Sequence, residues 1–351
     1  MSSVNKMSLS KLRTMLQENK RMVDETILDV LPKNHKVQEI ELLYSMMRDY
    51  PMRPAKGLRS SICLLTCAAF GGNAKKALMT ATAIELFQNW ILIHDDVEDA
   101  SELRRGEPVL QKKYNVPLAI NAGDALHGMM WDVLYRNKST LGESQTLAII
   151  NEFLTMIHET TEGQHIELSW LQGKNWDITE EDYFVMCVKK TAWYTCITPC
   201  RLGLLAARGV QELKQDDFVK FGESLGLAFQ IHDDVLNLSS DTKYGKEHAG
   251  DIFEGKRTLI LIHLLNIADK WDKERLMEIL TKDRMEKTES EVDEVLSLIT
   301  KYGAAEYAKR KAWELSRVAL EEFNVIFGKL PDCNEKSWLR DLTEYMVTRD
   351  W

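Results

Sequence analysis

The stretch ELFQNWILIHDDVED, residues 85–99, decides how this chain folds, and its core returns as FQIHDDVLN at residues 229–237. In the first copy Ile84, Gln88, Ile91 and Asp95 recur at helical spacing, so an apolar helix runs into a carboxylate pair. Paired negative charges beside an apolar core are costly unless something positive neutralises them. On an ideal helix Asp95 and Asp99 are offset by only about 40°, so they stack on one face a turn apart. Such a pair suits a hard, oxygen-preferring cation, with Mg²⁺ the obvious choice. Asp233, Asp234 and Asn237 repeat the spacing, with an amide oxygen in the last place. A lone acidic run of this kind is ordinarily a solvated helix face. Two copies, each at the C-terminal end of an apolar helix, point instead to two metal-facing sites.

The rest of the chain fits a helical reading. Leu, Ala, Glu, Lys and Met dominate and only seven prolines occur in 351 residues, a mix that favours helix. Breaks fall near residues 31–35, 49–54, 71–73, 105–108, 137–142, 173–177, 239–250 and 330–334, separating helical segments of roughly 15 to 30 residues. Strand signals are weak and no low-complexity linker is present. The expected architecture is all-α, one helical domain over residues 1–351, with residues 1–20 set apart as a loose N-terminal extension.

Composition removes several function classes. A net charge of −9 argues against nucleic acid as a partner. No run approaches the roughly 20 apolar residues of a membrane span, and MSSVNKMSLSKLRTMLQENK lacks the apolar region of a secretory signal. The six cysteines form no CxxC pair, and Cys63/Cys67 and Cys196/Cys200 sit one helical turn apart, as buried small hydrophobes do. Reduced thiols place the chain in the cytoplasm.

Mg²⁺ held by few carboxylates keeps open positions for phosphate oxygens. Cations stand where phosphates would need them. Arg104 and Arg105 follow the first acidic pair in a turn, RRGEP. Lys246, Asp251 and Lys256 follow the second, in YGKEHAGDIFEGKRT. Lys56 and Arg59 of RPAKGLRSS share a face at a helix start, where backbone N–H groups favour anions. Any one of these is ordinarily a solvated surface charge; their placement in several stretches beside the acidic pairs is what argues for phosphate. His94 and His232 are turned about 100° from the first aspartate of their copies, which suits packing better than ligation.

At this point the sequence resembles a known family. LIHDDVEDASELRRGEPVL (92–110) is similar to the first aspartate-rich region of the trans-isoprenyl diphosphate synthases, and GLAFQIHDDVLN (226–237) to the second. PAKGLRS, INAGDAL, EGQHIEL, VKKTAWY and DIFEGKRT match further family elements in order, over residues 52–262. The resemblance implies antiparallel helices around a deep central cavity, with two acidic helices gripping Mg²⁺, three ions as a rule. It implies that the allylic diphosphate ionises, that isopentenyl diphosphate attacks the cation, and that proton loss leaves a chain one isoprene unit longer. Carried onto this sequence, the metal ligands are Asp95, Asp99 and Asp233, with Asp96, Asp234 and Asn237 in support. Arg104, Lys190, Lys246 and Lys256 match the cations on the allylic diphosphate. Lys56, Arg59, Gln88 and Arg105 match the isopentenyl diphosphate site. Thr191 and Gln230 match positions near the reacting carbons. Asn237 stands where aspartate is commoner and Gln88 where histidine often stands. Family members are usually homodimers.

Side-chain bulk a turn or two below the metal limits product length, since one helical turn rises about 5.4 Å, close to one extended isoprene unit. Phe87, Trp90 and Ile91 occupy that zone. The combination resembles archaeal-type geranylgeranyl diphosphate synthases, with farnesyl diphosphate the alternative product. Ideal geometry turns Trp90 away from Asp95, so it stands either as a floor or as core. A terpene cyclase would need Ser or Thr where Asn237 stands and Glu where Asp241 stands, and would leave Lys56, Arg59 and Arg105 unexplained. A non-catalytic subunit of a heteromeric synthase would typically lack one acidic pair.

Overall fold

The computed structural model describes residues 6–209, 211, 214, 216–239 and 247–347. Among them the helical periodicity becomes α1 (Lys6–Val30), α2 (Gln38–Met52), α3 (Leu58–Ala69), α4 (Leu78–Glu98), α5 (Leu110–Lys113), α6 (Val116–Arg136), α7 (Lys138–Leu141), α8 (Glu143–Gln172) and α9 (Glu180–Cys187). A π-helical stretch, Val188–Ile197, follows directly. Then come α10 (Thr198–Arg208), α11 (Val219–Asn237), α12 (Gly250–Glu254), α13 (Leu259–Ile267), α14 (Lys270–Leu280), α15 (Glu289–Tyr302), α16 (Ala304–Phe327) and α17 (Asn334–Tyr345). Side chains at their starts explain several boundaries. Asn115, Thr179, Thr258, Asp269 and Thr288 each accept a backbone N–H of the first turn of α6, α9, α13, α14 and α15. Gly303, at φ 65°, ends α15 in the left-handed conformation.

Three apolar clusters hold the bundle, which is all-α as expected. The first joins α2, α3, α4, α6, α8 and α10 through residues such as Tyr50, Ile84, Phe87, Leu126 and Phe153. The second joins α9, α11, α13, α14, α15 and α16, with Leu261, Ile279 and Val295 at its centre. The third gathers Phe221, Phe229, Phe323 and Phe327 of α11 and α16 with Leu12 and Leu16 of α1 and Leu342 of α17. Sequence alone suggests a loose extension over residues 1–20; from Lys6 onward that segment is instead helical, and Leu12, Met15 and Leu16 are buried. The apolar stripe of α1 gains more from this packing than a solvated tail would.

Two details of the backbone bear on the site. β1 (Leu103–Arg104) and β2 (Glu107–Pro108) form a small antiparallel hairpin whose two-residue loop is Arg105-Gly106. Both loop residues have positive φ, 54° and 80°, the type I′ geometry that matches strand twist. Arg53 pins the hairpin to the end of α2 by donating to the carbonyls of Arg104 and Pro108, at 2.7 and 2.8 Å. The π-helical stretch packs closely against glycines of α8 and α11. A Cβ on Gly163 of α8 would lie 2.1 Å from the Lys190 nitrogen, and one on Gly226 of α11 would lie 2.4 Å from the Ala192 Cβ. Gly163→Ala is therefore expected to cost about 1–3 kcal/mol of stability through forced separation of the helices. Urea unfolding measures that loss, and activity should fall with it because the displaced backbone carries Lys190.

Candidate active site

The acidic pairs sit at the C-terminal ends of α4 and α11, where the helix carbonyls already make the potential negative and favour bound cations. Asp95 and Asp233 line one cavity of about 900 Å³, at the large end of the ~300–1,000 Å³ common for small-molecule sites. Adjacent helix residues differ by about 100°, so the second aspartate of each pair points elsewhere. Asp96 is fully buried; it accepts from the Tyr50 hydroxyl at 2.6 Å and from Arg104 Nε at 3.0 Å. Asp234 repeats this, accepting from the Tyr183 hydroxyl at 2.7 Å and from Gln230 Nε2 at 2.8 Å. The Gln230 carbonyl in turn accepts from the Thr191 hydroxyl at 2.8 Å. Burial, then the nearby Asp251 charge, pushes the Asp234 carboxyl up to about 8.

The last member of each run behaves differently. Asp99 caps α4 and is buried against Lys256, 2.8 Å away, yet neither of its oxygens is well aligned for a hydrogen bond. Burial outweighs Lys256 and pushes Asp99 up to about 7. Asn237 is buried, and its side-chain oxygen accepts the Asp251 N–H at 3.1 Å, which ties α11 to the start of α12. Neither residue lines the large cavity.

Lys190 and Arg104 flank Asp95, at 3.3 and 3.2 Å. Lys190 also pairs with Glu167, and Lys256 bridges Asp99 and Glu254. Burial pulls both lysines down, but the Glu167 and Asp99 carboxylates overcome it and hold both ammonium groups above their usual range. Glu167 belongs to EGQHIEL, one of the stretches that carry the family resemblance, but nothing local marks it as the partner of a lysine 23 residues on. Gln164, from the same turn of α8, reaches Glu98 at 2.6 Å. Lys246 lies outside the described residues.

A second group of residues lining the cavity, Arg59, Arg105 and Lys56, is cationic. Arg59 is 8% exposed, its guanidinium lies 4.2 Å over the Tyr194 ring, and its Nε is buried without a bond. With the Gln88 amide turned to suit its neighbours, that side chain accepts from Arg59 at 2.8 Å and donates to Glu85 at 3.1 Å. Arg105 donates to the Tyr50 carbonyl at 2.8 Å, and burial pulls its guanidinium down to about 10. Among the described residues neither arginine forms an ion pair with a carboxylate, so both are desolvated cations suited to an anionic ligand. Lys56 lines the same cavity but precedes α3 rather than sharing its face, because Gly57 enters the helix at φ 59°. Arg13, Leu16, Gln17 and Lys20 of α1 and Tyr345 of α17 also line the cavity. No motif marks them; the amphipathic pattern of α1 shows a polar face without showing what it faces.

Trp90 and Ile91 line the cavity, whereas Phe87 is fully buried behind Trp90, ring centroids 5.6 Å apart. Trp90 stacks on His127 of α6 at 3.9 Å and 12°, and Trp131 donates to His127 at 2.8 Å. His94 also reaches the cavity but meets the Trp90 edge and the Ile120 carbonyl rather than an aspartate of its own run.

Among the described residues no three His, Cys, Asp or Glu side chains converge as a self-sufficient metal cage. The donor set fits Mg²⁺ in its usual protein setting, one or two carboxylates with the remaining positions left to water and phosphate. The unbonded buried oxygens of Asp99 and the upward-shifted Asp99 and Asp234 are carboxylates in need of positive charge.

Comparison with known proteins follows the same line. The polyprenyl synthetase family model matches residues 40–299. A short chain isoprenyl diphosphate synthase of Methanothermobacter thermautotrophicus is 34% identical over 296 residues, 84% of this chain and 86% of its own. The crystal structure of a geranylgeranyl pyrophosphate synthetase from Pyrococcus horikoshii superposes at TM-score 0.83 with 31% identity, covering 97% of this chain and 99% of that one. A geranylgeranyl pyrophosphate synthase from Corynebacterium glutamicum, complexed with isoprenyl diphosphate and magnesium, shares the fold at TM-score 0.79 and 23% identity, covering 97% and 98%.

Proposed function

The chain belongs to the polyprenyl synthetase family and is a short-chain prenyltransferase, and we propose that it extends an allylic diphosphate with isopentenyl diphosphate to give geranylgeranyl diphosphate. The observation that carries the site assignment is that one cavity is lined by two sets of side chains with different partners. One set is Asp95 and Asp233 with Arg104, Lys190 and Lys256; the other is Arg59, Arg105, Gln88 and Lys56. The first suits a diphosphate bridged by metal, the second a diphosphate held by cations alone.

Asp95 and Asp233, with Asp99 behind them, are the residues that would hold Mg²⁺, a cofactor of this family; three ions is the expected number. Magnesium bound there supplies the charge neutralisation that lets the allylic C1–O bond break. Lys190, Lys256 and Arg104 hold the same diphosphate, pre-set by Glu167, Asp99 and Asp96. The Thr191 hydroxyl and the Gln230 amide, locked together, face the cavity where the carbocation forms. Arg59, Arg105 and Gln88 fix isopentenyl diphosphate so that its double bond meets C1. The departing pyrophosphate is the proton acceptor in this reading.

A homodimer is supported by the exposed apolar side chains of α6 and α8, Leu118, Ile120, Leu147 and Leu154. A cytoplasmic setting is supported by six free cysteines, five of them buried. No helix of the described residues is long and apolar enough to cross a membrane.

Incubation with Mg²⁺, isopentenyl diphosphate and dimethylallyl, geranyl or farnesyl diphosphate, followed by product sizing, tests the proposal. A C20 product is expected. Arrest at C15 would make farnesyl diphosphate the product, and no elongation from any starter would leave the non-catalytic subunit.

A further inference from the structure

The two acidic pairs share a feature that their sequences do not. Each inner aspartate is held from outside the cavity by one buried phenol: Tyr50 of α2 donates to Asp96 at 2.6 Å, and Tyr183 of α9 donates to Asp234 at 2.7 Å. Both tyrosines are essentially fully buried, at 0% and 1% exposure, on helices that carry none of the metal-facing carboxylates. From the cavity side each inner aspartate takes one further donor, Arg104 or Gln230. A helix whose inner aspartate is fixed at one side cannot roll, and its outer aspartate, about 100° round, is thereby aimed.

We propose that Tyr50 and Tyr183 are positioning residues for metal binding, each locking the rotation of one acidic helix through its inner aspartate so that Asp95 and Asp233 face each other. The inference rests on the assignment of Asp95 and Asp233 as metal-facing. The bland reading is that the phenols only satisfy buried carboxylates and so serve stability. The two readings differ in what metal affinity does. Hydrogen-bond partners that orient metal ligands characteristically change metal affinity by about 10- to 100-fold when removed.

Tyr50→Phe and Tyr183→Phe keep the buried ring and delete the donor. Two readouts are needed: the Tm rise produced by Mg²⁺ with inorganic pyrophosphate, which requires no turnover, and the Mg²⁺ half-saturation of elongation. Each variant should need about tenfold more Mg²⁺ for both, with the KM for isopentenyl diphosphate within twofold of the parent. A fall in ligand-free Tm with unchanged Mg²⁺ dependence would overturn the proposal, as would an equal rise in the isopentenyl diphosphate KM, the sign of general distortion. Should one phenylalanine variant fail to fold, the other decides. Asp95→Ala serves as the control: if it leaves the Mg²⁺-dependent Tm rise intact, the metal assignment has failed. If it abolishes the rise while both phenylalanine variants keep it, only the positioning role has failed.

Discussion

Asp95→Ala is expected to lower kcat by about a thousandfold or more while leaving the chain folded. Asp95 is the cavity-facing carboxylate of the first pair, and charge stabilisation by a metal at the leaving oxygen is worth several kcal/mol. A loss of about 4 kcal/mol corresponds to a factor near 10³ in rate. The fold should survive because the cations beside Asp95 each keep another carboxylate, Lys190 its Glu167 and Arg104 its Asp96. Steady-state kinetics with saturating Mg²⁺, together with a thermal melt, separates the two effects. A large fall in Tm with modest loss of kcat would mean that Asp95 is structural.

Trp90→Ala is expected to lengthen the product by at least one isoprene unit. Trp90 lines the cavity beside Ile91, and its ring is backed by Phe87 on one side and the His127 ring on the other. Burial pulls the His127 imidazole below its ordinary range, and as acceptor from Trp131 its Nε2 carries no proton, so the stack is a neutral, rigid plate. Deleting the indole opens a space of roughly one helical turn, about 5.4 Å, close to the length of an added unit. Chromatographic sizing should then show C25 beside or in place of C20. An unchanged C20 product with reduced Tm would mark Trp90 as core and move the floor to Ile91.

The apolar run of α4 ending in HDDVED, the matching end of α11 and the RRG turn are legible in the sequence because each depends on near neighbours. Helical period places Asp95 over Ile91 and Gln88, and the glycine of RRGEP marks a turn, though not that it closes a hairpin. Harder to read are contacts that close long loops. Tyr50 lies 46 residues from Asp96 and Tyr183 lies 51 from Asp234, and no spacing rule links them. The breaks at Thr258, Asp269, Thr288 and Gly303 carry ordinary capping residues, but the strongly apolar α13 and the charged helices after it blur into one helical reading. The π-helical stretch leaves no clear periodic mark, since its hydrogen bonds span one residue more than those of an α-helix; Gly163, Gly222 and Gly226 betray the close approach it requires. Asp99 does stand one turn from Asp95, its N–H bonded to the Asp95 carbonyl, but the sequence does not show that its side chain is buried against Lys256 and does not line the cavity.

The central claim is that α4 and α11 act as two jaws on one metal-bound diphosphate. The most direct measurement is anomalous diffraction from crystals of this protein grown with Mn²⁺, a stand-in for Mg²⁺, and a non-hydrolysable allylic diphosphate analogue. The account predicts anomalous peaks in the cavity between Asp95 and Asp233, with analogue oxygens completing their coordination and Lys190, Lys256 and Arg104 on the same diphosphate. Metal bound at only one acidic helix, or an analogue held by Arg59 and Arg105 with no metal beside it, would contradict it.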